Sequence, residues 1–128
     1  MFDVMGRTEP DPQPLPAGLA EMPPGPELGA VLASIGVTRL SGHDRIVVLQ
    51  AQQRMVAHNQ ARTYHTMAAV VDSVAEELLD DFGDAPLEHV TESAAAEIGP
   101  ALRLTRRAAD NEIATALDLQ RRLPALYE

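Results

Sequence analysis

No proline interrupts the forty residues that follow Ser41, whereas seven of the chain's ten prolines crowd into the stretch from Pro10 to Pro26. Proline lacks the amide donor and pushes its predecessor out of the helical region, so this contrast divides the chain. An extended or disordered Pro-rich flexible arm is expected over residues 1–25, and a helical domain over 26–128. Ser41 followed three residues later by Asp44 reads as an N-cap with an acidic first turn, which predicts one long helix over 42–82. Ile46, Leu49, Val56, Met67, Val70 and Val74 lie near one stripe of it, with Gln53, Gln60 and Thr63 as polar interruptions. At 1.5 Å per residue that helix would be roughly 60 Å long, more than the diameter of a small globule. It therefore needs partner helices or a kink, and packing as a hairpin is expected.

The flanking signals are short-range. Pro26 suits a first helical turn, and Leu28, Val31, Leu32 and Ile35 share one face before Gly36 ends the pattern. Phe82, Gly83, Asp84, Ala85 and Pro86 form a stop, because glycine supplies a left-handed cap and proline blocks continuation. A further helix is expected to begin after Thr91. The stretch from Glu92 to Leu123 is broken once, near Gly99 and Pro100, which predicts two helices with a tight corner after Leu102. A P-x-x-P pairing at Pro23 and Pro26 has the spacing of a groove ligand, but a plain arm accounts for it.

Aromatic residues make up 3% of the chain and tryptophan is absent, a composition that favours helices over sheets; the expected fold class is all-α, a long helical hairpin or bundle with a helix-turn-helix-like corner. A chain of 128 residues accommodates about one domain. The absence of cysteine excludes disulfide frameworks, thiolate zinc sites, iron–sulfur clusters and cysteine nucleophiles. All ten basic residues are arginine, a bias that reflects a GC-rich coding sequence more than any ligand. The longest apolar run, Met67 to Val71, is five residues, far below the ~20 needed to span a bilayer. With Asp3 preceding any base and no apolar stretch at the N-terminus, a cytoplasmic protein with no membrane partner is expected.

The formal charge of −9 is unevenly distributed. Residues 39–71 carry four arginines and only Asp44, residues 72–97 carry nine acids and no base, and residues 98–128 carry five arginines against four acids. An acidic belt thus separates two mildly basic segments, and the overall charge does not decide whether one face meets phosphates. Asp80, Asp81 and Asp84 lack the spacing of a calcium loop, so no metal is expected there.

The segment from Ala95 to Ile113 has the spacing of a helix-turn-helix. Ile98, Leu102, Leu104, Ala108 or Ala109, and Ile113 would form its small core, and Thr105 would cap the second helix. In a DNA-reading version Arg103, Thr105, Arg106 and Arg107 are the candidate contacts, with Arg106 and Arg107 facing phosphates or guanine edges. An ordinary corner with a charged surface fits the same residues, and the two readings are told apart by whether Arg103, Arg106 and Arg107 share a positive face clear of the acidic belt. Arg103 stands where a turn glycine is usual.

The histidines offer no metal pair. His58 and His65 are seven apart on one helix, about 10 Å along its axis, whereas ligand pairs use three or four. His43 and His89 are isolated and read as exposed or capping residues. No G-x-S-x-G elbow, H-E-x-x-H, P-loop or G-x-G-x-x-G occurs, so neither a catalytic set, a cofactor nor a small-molecule substrate is indicated.

Three separated blocks in order carry a resemblance: Leu19-Ala20-Glu21-Met22-Pro23-Pro24-Gly25-Pro26-Glu27-Leu28; Leu40-Ser41-Gly42-His43-Asp44 with Val48-Leu49-Gln50-Ala51 and Arg54; and Ala101-Leu102-Arg103-Leu104-Thr105-Arg106-Arg107-Ala108-Ala109 with Leu117-Asp118-Leu119 and Arg122-Leu123-Pro124. Over residues 15–128 the chain resembles the N-terminal part of the helical region of the actinobacterial 13E12-repeat family, termed domain of unknown function 222. In that family the region commonly precedes an HNH nuclease domain whose histidines and asparagine bind a metal and activate water. That motif has no counterpart here, since His58-Asn59 lies within an expected helix and lacks the associated hairpin, and no catalytic residue carries over. The resemblance implies a non-catalytic helical module of an HNH-endonuclease-associated protein, contacting DNA or holding protein partners. A stand-alone helix-turn-helix DNA-binding protein and a structural oligomerisation module are the alternatives, the latter favoured if the apolar stripe of the long helix stays open, as a homodimer or a helical protein partner would require.

Overall fold

A computed structural model describes residues 13–123 of the chain, and all its regular elements are helical. Four α-helices follow in order, α1 (Pro26–Ala33), α2 (Gly42–Phe82), α3 (Leu87–Leu102) and α4 (Arg106–Arg122), with single 3-10 turns at Leu19–Glu21 and Val37–Arg39. The chain divides into two compact units, the first ending at His58 and the second beginning at Asn59. The all-α expectation is met. No helix among the described residues is long and apolar enough to cross a membrane.

In the first unit the start of α2 is fixed as its sequence predicts, with the Ser41 hydroxyl accepting from the Asp44 amide at 3.2 Å. Leu19, Leu28, Leu40, Val48 and Ala51 form the buried cluster, and Leu15, Met22, Val31, Leu32, Ile35, Val47 and Met55 pack on it. Residues 13–25 therefore depart from the expected flexible arm. Leu19 is 2% exposed, and its carbonyl accepts a 2.8 Å bond from Nη2 of Arg54, while the Gln13 amide donates to the Arg39 carbonyl. The prolines here shape the backbone without preventing burial, because Leu15, Leu19 and Met22 between them supply apolar surface worth removing from water. Residues 1–12 of that expectation lie outside the described residues.

The second unit is built on Met67, Val71 and Val74 of α2, Val90, Ala94, Ala95 and Ile98 of α3, and Ala109, Ile113 and Ala116 of α4, all buried. Gly83, in the left-handed region at φ 74°, closes α2 with its amide on the Leu79 carbonyl, as the stop sequence predicts. Helix α3 starts at Leu87 and not after Thr91. The Pro86 carbonyl accepts from His89 and Val90, and the Thr91 hydroxyl bonds back to the Leu87 and Glu88 carbonyls, so Thr91 is an interior residue satisfied by its own helix.

The α3–α4 corner is a Schellman turn. The Leu104 amide donates to the Gly99 carbonyl at 2.8 Å and the Arg103 amide to Pro100, which places Arg103 in the left-handed region at φ 57°, ψ 40°. Pro100 sits inside the last turn of α3, where the helix forgoes the amide bond that residue 100 would otherwise donate to the Ala96 carbonyl. Thr105 caps α4, accepting from the Ala108 amide at 3.1 Å. Ile98, Ala109 and Ile113 are buried and Leu104 is half-buried, as expected, but Leu102 is 50% exposed. The left-handed residue reverses the chain immediately after Leu102, and Leu104 packs on the core from beyond the turn instead.

Candidate interaction surfaces

Two surfaces hold the residues that the sequence singles out, the corner between α3 and α4 and the first half of α2. At the corner, Arg103, Thr105, Arg106 and Arg107 are all exposed. They are not equivalent. The Thr105 hydroxyl is engaged by its cap bond, and the Arg106 guanidinium lies 3.3 Å from Asp110 and 3.9 Å from Glu92. Glu92 belongs to the acidic belt, so Arg106 does not stand on a positive face clear of it. Arg107 and Arg103 make no ion pair among the described residues.

Beside this corner the second unit has an open hollow of about 800 Å³, with Leu78, Ala85 and Pro86 among its apolar lining and Asp84, His89, Glu92 and Arg106 among its polar lining. The Arg106 guanidinium there is already compensated by carboxylates. Among the described residues no group of three His, Asp or Glu side chains is placed to hold a metal ion. His43 and His89 are exposed, in line with the sequence reading, and His58 is half-buried.

The first half of α2 is different in kind. Its side chains recur at heptad spacing, Ile46 and Gln53 at one core position and Leu49 and Val56 at the other. The face that packs within the first unit is not this one. Val48 and Ala51 are buried, and Val47, Arg54, Met55 and His58 are half-buried, all at the positions that a paired helix ordinarily turns to solvent. Ile46, Leu49 and Val56 are 54%, 55% and 54% exposed. The helix is thus apolar on two faces, one closed by the N-terminal elements and one open.

The open face carries no carboxylate from Arg45 through Ala57. Its flanking positions hold Gln50, Gln52 and Ala57, all exposed, together with Arg45, whose guanidinium donates to the Val37 and Thr38 carbonyls at 3.2 and 3.0 Å. Sequence reasoning follows one stripe along the whole helix and so expects its apolar residues to share one fate. Met67 and Val74 are buried and Val70 half-buried, whereas Ile46, Leu49 and Val56 remain open. The signal for a second face was the run Val47, Val48, Ala51 and Met55, spaced to bury independently of the stripe. In comparisons with protein-family models, with curated proteins and with solved structures, nothing matches the chain.

Proposed function

We propose that the chain is a non-catalytic helical docking module, acting in the cytoplasm, of the kind that forms the helical region of HNH-endonuclease-associated proteins, and that it holds a protein partner on the first half of α2. The observation carrying this reading is the half-exposed set Ile46, Leu49 and Val56 on a face that the chain's own core leaves open. The resemblance of residues 15–128 to the 13E12-repeat family supports the setting.

Magnitudes define the kind of docking. Complete burial of an aliphatic side chain is worth about 1.5–3 kcal/mol, so covering the exposed halves of three contributes roughly 2–4 kcal/mol from this chain. Association itself costs about 4–15 kcal/mol. The partner must bring a matching apolar face, and the complex is reversible. An apolar fluorescent dye tests the reading: the folded chain should bind it, and Leu49→Asn with Val56→Asn should remove most of the signal while leaving helicity intact. No binding by the wild-type chain would show that the face is not available.

A second reading, contact with DNA through the α3–α4 corner, is favoured by one observation. Arg107 stands exposed in the first turn of α4 with no ion-pair partner among the described residues, as does Arg103 in the preceding turn. These two, more than Arg106 or the capping Thr105, would carry phosphate contacts in this reading.

A further inference from the structure

We propose that the partner held on α2 is a second copy of the same chain, paired with it in parallel and in register, so that Ile46, Leu49, Gln53 and Val56 each face their own counterpart. This rests on the docking reading above and specifies its partner. The polar member of the face decides the orientation. Gln53 is exposed and makes no hydrogen bond among the described residues. A carboxamide carries both donors and an acceptor, so it is satisfied by an identical carboxamide placed opposite. In a parallel in-register pair Gln53 meets Gln53. In the antiparallel pairing that matches Ile46 with Val56, Gln53 falls opposite Leu49, and an amide is left facing an alkyl group.

Charge agrees. The chain carries a net −9, and two copies meeting over most of their surface would repel. Over Arg45 through Ala57 there is no acidic residue. In the parallel register Arg45 flanks Gln50 of the other copy, and Gln52 flanks Ala57, so no like charges meet across the pair. The remaining arginine of the segment, Arg54, is turned into the first unit, with its guanidinium on the Leu19 carbonyl. Helices of any other origin would need no amide at the third core position, whereas a self-pairing helix uses one to select its register.

The full chain contains no cysteine, which permits a clean test. Sedimentation across a concentration series up to about 500 μM, a range suited to weak interfaces, should show a reversible dimer. Leu49→Asn should weaken it at least ten-fold, and Gln53→Ile should tighten it by about ten-fold, because an aliphatic residue at that position strengthens a pair while relaxing its register. Gln53→Cys should form a disulfide dimer under oxidised glutathione, since facing positions of a parallel pair fall near the about 4.4–6.8 Å Cα separation that a disulfide spans. Arg62→Cys, exposed on the same helix but off this face, should cross-link far more slowly. Circular dichroism of every variant controls for folding. A chain that stays monomeric, with Gln53→Cys no faster than Arg62→Cys, overturns the inference; so does a dimer in which Gln53→Cys fails to cross-link. If the apolar dye nevertheless binds and Leu49→Asn removes it, the docking surface stands and only the identity of its partner is wrong. Failure of the dye to bind at a concentration where sedimentation shows monomer overturns both.

Discussion

The Arg106 guanidinium reaches back across the α3–α4 turn to the Glu92 carboxylate, 3.9 Å away, while also contacting Asp110 one turn further along its own helix. All three side chains are more than half exposed, so the contacts add at most about 1 kcal/mol to stability. Their effect is on charge. Two carboxylates stand against one of the two first-turn arginines of a DNA-reading corner. In the DNA reading, Glu92→Gln combined with Asp110→Asn should tighten duplex binding at low salt and steepen its salt dependence by about one unit, the signature of one more phosphate contact. Arg107→Gln should do the reverse. Duplex binding that is absent in the wild-type chain and in the released variant alike would remove DNA as a partner.

Arg103 occupies the left-handed position of a Schellman turn, where a side chain costs roughly 1–2 kcal/mol that glycine does not incur. Its side chain is exposed and makes no ion pair among the described residues. Arg103→Gly should therefore stabilise the fold by about 1 kcal/mol, after the added freedom of glycine in the unfolded chain is subtracted. Chemical denaturation compares the midpoints directly. A variant less stable than wild type would mean that the arginine makes a compensating contact in solution.

Ile113 and Leu102 separate burial from sequence spacing. Both were expected in the core of the corner, yet Ile113 is 2% exposed and Leu102 is 50% exposed. Ile113→Ala should cost about 2–5 kcal/mol, since the alanines packed around it leave little to collapse into the space. Leu102→Ala should cost well under half as much. Equal losses in urea titrations would contradict the packing described for the end of α3.

These residues also show which parts of the structure are legible in the sequence. The caps at Ser41 and Thr105, the stop at Gly83 and the strained place of Arg103 are encoded within four residues of where they act, and periodicity locates α2 and α4. What escapes is decided by distant partners. The prolines before Pro26 argue for an arm, but Leu19 is buried because Leu28, Leu40 and Val48 meet it, and no local rule announces that meeting. Thr91 resembles a helix boundary until its hydroxyl is seen to bond back along α3. The open face at Ile46, Leu49 and Val56 was visible as a stripe, while its exposure depended on a different face of α2 taking the core. The candidate corner was legible as residues, and the compensation of Arg106 by Glu92 required the fold.

Arg54 ties the N-terminal segment to α2 and supplies the sharpest test of the first unit. Its Nη2 donates to the Leu19 carbonyl at 2.8 Å, whereas its buried Nε has no hydrogen-bond partner among the described residues. A charged donor to a carbonyl contributes about 1.5–3 kcal/mol, and a desolvated donor left unmade takes back about 1–3 kcal/mol, so the two nitrogens partly offset each other. The half-buried hydrocarbon stem carries the rest. Arg54→Ala removes bond and stem together and should destabilise the first unit by about 1–3 kcal/mol. Arg54→Met keeps the stem and eliminates the unpaired Nε, and should lose less than half of that. Amide hydrogen exchange reads the location of the loss. Glu21, Met22 and Gly29, whose amides bond to the Gly18, Leu19 and Gly25 carbonyls, should exchange faster in Arg54→Ala, while Ala109 and Leu123, bonded to Thr105 and Leu119, keep their protection. A uniform loss at both sets of amides would show that Arg54 supports the whole chain and not its N-terminal segment.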